Sequence, residues 1–145
     1  MSRARDTATL DLFEIPEPDQ PQPGAMDYRS AIAGLVSEAL RSCALDRYEV
    51  AARMSRLMGV EESKHILDAW ASDARESHNI PFYKVPVLEA VCETHRLTQW
   101  LAGTRGGRLL IGREALNAEL GRLERSRDAA QQRIRQLKRL MGEME

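Results

Sequence analysis

A chain of 145 residues predicts one folded domain with an appendage, with core enough to fold alone. Charged residues make up 30% of it, aromatics only 5%, and the formal net charge is −1. That balance excludes a strongly basic nucleic-acid binder on the whole-chain count, although the charge is unevenly spread.

Residues 1–26 read as a disordered, proline-rich acidic tail. Pro16, Pro18, Pro21 and Pro23 alternate with acidic and glutamine residues, a run that cannot build a core. Within it stand Leu10, Leu12 and Phe13. Either they dock back on their own domain as a staple, or they form a short linear motif for a protein partner. Leu10-Asp11-Leu12-Phe13 resembles the end of the peptide that bacterial replication proteins insert into the sliding clamp, with Thr7 or Thr9 where that motif usually has glutamine. The resemblance implies a host protein as partner.

A helical domain is expected over 27–102. Asp27 should cap a helix running to about Cys43, with Ile32, Leu35, Val36, Ala39 and Leu40 on its buried stripe. The stretch Asp46–Trp70 organises the rest. Asp46 is a good N-cap, and Glu49 can reach back to complete a capping box. Val50, Met54, Leu57 and Met58 make an apolar face, Gly59 stops the helix, and Val60 should tuck beneath the turn. Ser63 is the plausible next cap, with Glu61 or Glu62 as alternatives. Ile66, Leu67, Trp70 and Ala74 give the following helix its stripe. This is either a helix-turn-helix or an ordinary helical hairpin. After a loop with Pro81 and Pro86, a helix from about Pro86 packs through Val87, Leu88, Val91, Cys92 and Leu97, and Trp100-Leu101 close the domain.

Ala51, Ala52, the Gly59-Val60 pair and Ser63 resemble the helix-turn-helix regulators of temperate phages, of the Cro and CII kind. Ser55 stands where that pattern has a smaller residue, and His65 where it has an apolar one. The resemblance implies double-stranded DNA as partner, with Ser63, Lys64 and His65 in the major groove and Arg53, Arg56, Arg105 and Arg108 on phosphates. Around the second helix Lys64 and Arg75 are outnumbered by Glu61, Glu62, Asp68, Asp73 and Glu76, which runs against easy docking.

Gly103-Thr104-Arg105-Gly106-Gly107-Arg108 opens a glycine and arginine hinge over 103–112. It reads as a flexible joint or as a backbone clamp for a phosphate, and it lacks the ending of a P-loop. Residues 113–145 read as an amphipathic coiled-coil helix. Leu120, Arg127, Ile134 and Met141 share one core position, and Leu116, Leu123, Ala130, Leu137 and Met144 the other. Leu116, Leu120, Leu123, Ile134, Leu137 and Met141 are therefore the candidate oligomerisation residues. In a parallel pair the flanks would set Glu119 against Glu124 and Arg133 against Lys138, which favours antiparallel pairing or another partner. Packing of the helix on its own domain is the alternative.

Cys43 and Cys92 read as small core residues, and no cysteine or histidine spacing makes a metal site. No enzyme motif, catalytic residue or cofactor is expected. The start lacks a signal-peptide run and no stretch is long enough to span a bilayer, so a cytoplasmic place is expected, that of the host if the protein is phage-encoded. Over its whole length the chain also resembles small early-region proteins of Mu-like transposable phages. That likeness lies in Asp46–Trp70, in Ile80-Pro81-Phe82, in Arg105-Gly106-Gly107-Arg108-Leu109-Leu110 and in Gly112-Arg113-Glu114-Ala115-Leu116-Asn117. It implies a phage context and little mechanism. The expected fold is all-α: a small helix-turn-helix-containing domain followed by a long coiled-coil-like helix. The expected function is DNA-binding transcription regulation by an oligomer. The alternative is an adaptor that engages a host protein without touching DNA.

Overall fold

A computed structural model describes residues 16–74 and 77–143. The fold is all-α. Its helices are α1 (Arg29–Ser42), α2 (Arg47–Met58), α3 (Lys64–Trp70), α4 (Val85–Cys92), α5 (Arg96–Thr104) and α6 (Arg113–Glu143), with a 3₁₀ turn at Phe82–Lys84 before α4. The chain divides into two compact units between Arg108 and Leu109. Among the described residues no helix is long and apolar enough to cross a membrane.

In the first unit α2 packs on α3 and α4, and α1 on α3, α4 and α5. Val36 and Leu40 of α1, Val50 and Met54 of α2, Leu67 and Trp70 of α3, Leu88 of α4 and Leu97 of α5 meet in one apolar core. Burying such side chains contributes about 1.5–3 kcal/mol each, the main force holding these short helices together. Asp27 sits one place too early to cap α1. It accepts the Arg29 N–H at 3.3 Å and pairs with the Arg29 guanidinium at 2.5 Å, and Tyr28 occupies the cap.

Where one helix was expected from Pro86 to Leu101, the chain makes two. Glu93 turns left-handed (φ 52°), and the Thr94 N–H returns to the Glu89 carbonyl at 3.0 Å. The compensation comes from a buried carboxylate. Glu89 accepts the Thr98 N–H at 2.9 Å and the Thr98 hydroxyl at 2.6 Å, so a side chain of α4 satisfies the first turn of α5. Leu101 is consequently exposed rather than buried, while Trp100 meets Tyr28 edge to face at 5.2 Å.

Residues 16–26, read from the sequence as unstructured, are tied to the end of α5. The Asp19 N–H donates to the Thr104 carbonyl at 2.9 Å, Pro18 bridges to Arg105, and the Tyr28 hydroxyl donates to Asp19 at 2.8 Å. Gly106 explains part of the closeness. Its φ is +74°, and a Cβ there would lie 2.9 Å from the Pro18 nitrogen. The segment read as a flexible hinge is therefore a locked helix end as far as Gly107, whose N–H reaches the Ala102 carbonyl at 2.7 Å.

Candidate nucleic-acid interface and assembly surface

The hairpin of α2 and α3 forms for reasons visible in its atoms. The Asp46 carboxylate accepts the Glu49 N–H at 2.9 Å and opens α2. Gly59 closes it in the left-handed conformation (φ 70°). Ser55 then fixes the turn. Its Oγ donates to the Ala51 carbonyl at 2.8 Å and accepts the Glu62 N–H at 2.8 Å. The hydroxyl at this position of the turn, a departure from the phage-regulator pattern, thus does structural work. Ser63 caps α3 by accepting the Ile66 N–H at 3.3 Å.

The buried face of α3 differs from the expected stripe. Its buried residues are Leu67, Ala69 and Trp70, whereas Ile66 and Ala74 are exposed. Leu57, expected on the apolar face of α2, and Val60, expected beneath the turn, are exposed as well. The turn is held by Ser55 instead, so no apolar plug is required there.

The electrostatics of the hairpin are nearly closed on themselves. Arg47 and Lys64 both bind Asp68, at 2.6 and 2.7 Å. The Lys64 hydrogen bond first, then that of Arg47, holds the Asp68 carboxyl below the usual carboxylate range. The same bond raises Lys64. Arg53 and Arg56 share Glu49, at 2.9 and 3.6 Å, so Glu49 serves these arginines rather than a capping box.

The seven candidate DNA-contacting residues fall in three places. Ser63, Lys64 and His65 border a hollow with Tyr48, Ala52 and Glu61. Arg53 and Arg56 border another with Glu49, Val91 and Glu93. Arg105 and Arg108 lie beyond α5, both exposed. A groove of about 240 Å³ has a mostly apolar lining that includes Ile32, Ile80, Phe82, Val85, Leu97 and Trp100. Phe82 in its wall and the neighbouring Tyr83 stand 77% and 71% exposed. The motif residues Leu10, Leu12 and Phe13 lie outside the described residues.

The second unit is dominated by α6, none of whose residues is buried. Leu116, Leu120, Leu123, Ile134, Leu137 and Met141 are all between 51% and 72% exposed and recur at coiled-coil spacing. A seam of this kind on one helix is unusual for surface in contact with water.

Two groupings escaped the sequence reading. Glu62 and Lys84, 22 residues apart, form an ion pair with side chains only 1% and 13% exposed. Cys43 and Cys92 are neighbours. Burial first, then the hydrogen bond with Cys43, pushes the Cys92 thiol up to about 12. Neither pairing carries a spacing signal, because each joins separate elements. Among the described residues no three His, Cys, Asp or Glu side chains group as a metal site. Comparison of the chain with family models, curated protein sequences and solved structures found no match.

Proposed function

We propose that the protein is a self-associating adaptor: α6 brings copies together, and the helical domain, with its tail, presents contacts to another protein. The observation that carries this reading is the exposed leucine seam of α6. A 31-residue helix rises about 46 Å and gains little from propensity alone, so its apolar stripe calls for a second helix. The apolar groove walled by Phe82 and the Leu10-Leu12-Phe13 motif are the adaptor's candidate contacts with a partner. The internal pairing of Arg47, Arg53, Arg56 and Lys64 supports a hairpin that serves as scaffold. A tagged and an untagged copy expressed together test the proposal. The native chain should carry its untagged copy through purification, and Leu120→Asp with Leu137→Asp should not. Equal recovery of both would refute it.

A second reading is a DNA-binding regulator that oligomerises through the same helix. The left-handed Gly59, the Ser63 cap and the exposed His65 favour it, as does the run of arginines from Arg105 to Arg139. Binding of a mixed-sequence duplex at two salt concentrations tests it. On this reading binding falls steeply with salt, and Arg105→Ala with Arg108→Ala weakens it for every sequence and flattens the salt slope. No binding at low salt removes the DNA reading and leaves the adaptor.

A further inference from the structure

We infer that the apolar groove on α1, α4 and α5 is occupied by the chain's own N-terminal segment, with Leu10, Leu12 and Phe13 as the side chains that fill it. The inference rests on the adaptor reading above only in using the same groove and motif, and it does not depend on pairing through α6. The groove calls for an apolar occupant. Ile32, Ile80, Val85, Leu97 and Trp100 line it, and Phe82 and Leu101 in its wall stand 77% and 41% exposed. Covering such surface is favourable. The hydroxyl of Thr98 in the lining already donates to Glu89 at 2.6 Å, so it has no proton to offer a ligand. The volume of about 240 Å³ lies below the range of about 300–1,000 Å³ usual for small-molecule sites, which suits the side chains of a peptide.

The tether decides which peptide. Leu97, Trp100 and Leu101 all belong to α5, and the described residues begin, at Pro16, against the end of that same helix. The Asp19 N–H donates to the Thr104 carbonyl at 2.9 Å, Pro18 bridges to Arg105, and the Pro16 carbonyl lies 3.3 Å from the place of a Gly106 Cβ. From Leu97 to Thr104 α5 rises about 10 Å, at about 1.5 Å per residue. An extended chain covers about 3.3–3.6 Å per residue, so Phe13 reaches about 10 Å from Pro16 and Leu10 about 20 Å. That reach matches the lining from Leu101 back to Leu97. Only Glu14 and Ile15 stand between the motif and Pro16. So short a tether holds the motif at an effective concentration on the order of millimolar, so that even weak contacts keep it seated. A free peptide must work against that concentration, and the groove of a second copy is farther away than the chain's own.

Trp100 reports on the groove. Of the two tryptophans in the chain, Trp70 is buried in the core, whereas Trp100 is half-buried and lines the groove. The test is acrylamide quenching of tryptophan fluorescence in the full chain and in its Leu12→Asp, Phe13→Asp double variant. The variant should be quenched more strongly, by the same amount at every protein concentration. The difference should vanish when both chains also carry Trp100→Phe, which keeps a ring against Tyr28. A synthetic peptide of residues 5–17 should restore protection to the double variant, and the native chain should need roughly tenfold more of it or greater, because its own tail competes. Equal quenching of native and variant chains overturns the inference, and so does equal affinity of both for the peptide. A difference that depends on protein concentration places the tail in the groove of a second copy and overturns docking within one chain. None of these outcomes bears on pairing through α6, which the tagged copies report separately.

Discussion

Lys84 and Glu62 form a buried ion pair that joins the turn before α3 to the 3₁₀ turn before α4. The ammonium also lies 5.2 Å from the centre of the Trp70 ring, so it stands between a carboxylate and a core aromatic. Among the described residues the second oxygen of Glu62 is buried without a hydrogen-bond partner, and Lys84 is the cation paired with its carboxylate. Lys84→Met should therefore cost about 3 kcal/mol or more in chemical denaturation, because it strands a buried charge. Lys84→Met with Glu62→Leu should recover most of that loss. A loss that persists in the double variant would mean that packing, not charge, dominates at this site.

Two glycines separate backbone strain from crowding. Gly59 and Gly106 both have positive φ, at 70° and 74°. Open space surrounds a Cβ at Gly59, whereas at Gly106 it would press on the Pro18 ring and backbone. Gly59→Ala should cost about 1–2 kcal/mol, the usual penalty of the left-handed region. Gly106→Ala should cost more and should release residues 16–19 from α5, seen as faster amide exchange at Asp19. Equal costs would show that the contact with Pro18 adds nothing.

Much of the hairpin was legible because its signals are local: Asp46, Gly59 and Ser63 each act within a few residues of themselves. Burial was less legible. Leu57 and Val60 have the right character for a core but face solvent, because Ser55 secures the turn with hydrogen bonds. The break at Glu93 was hidden for a related reason. No glycine or proline marks it, and it depends on Glu89 reaching Thr98, a contact made only after folding. For the candidate site the sequence supplies the arginines and the i,i+4 pair of Glu49 with Arg53, but the pairing of Arg47 with Asp68 emerges only once α2 and α3 are placed.

Acid should loosen the hairpin. Hydrogen bonds from Lys64 and then Arg47 lower the folded Asp68 below its ordinary value of 3.8. A depressed folded pKa gives stability that is present above the unfolded value and is lost as pH falls through the folded one. Thermal melts between pH 6 and pH 3 should show a falling midpoint. Asp27, which the Arg29 side chain lowers to about 2, acts in the same direction. Asp68→Asn should lower the midpoint at pH 6 and flatten the acid slope. An unchanged slope would remove Asp68 as a source of the pH dependence.

The Cys92 thiol, pushed up to about 12, should react slowly with a thiol reagent at pH 8 in the native protein and at an ordinary rate once it is unfolded. Cys43→Ala removes the neighbour that helps to raise it and should speed the native reaction modestly, with burial still providing most of the protection. Native reaction of Cys92 at the rate of a free thiol would contradict the neighbourhood described here.

The most direct measurement is sedimentation equilibrium of the intact protein, without nucleic acid, over a wide range of concentration. The seam of α6 predicts a mass that rises to twice the 16.4 kDa of one chain. A mass that stays at 16.4 kDa at the highest concentration would mean that α6 does not assemble copies of this protein, and the adaptor account would fail with it.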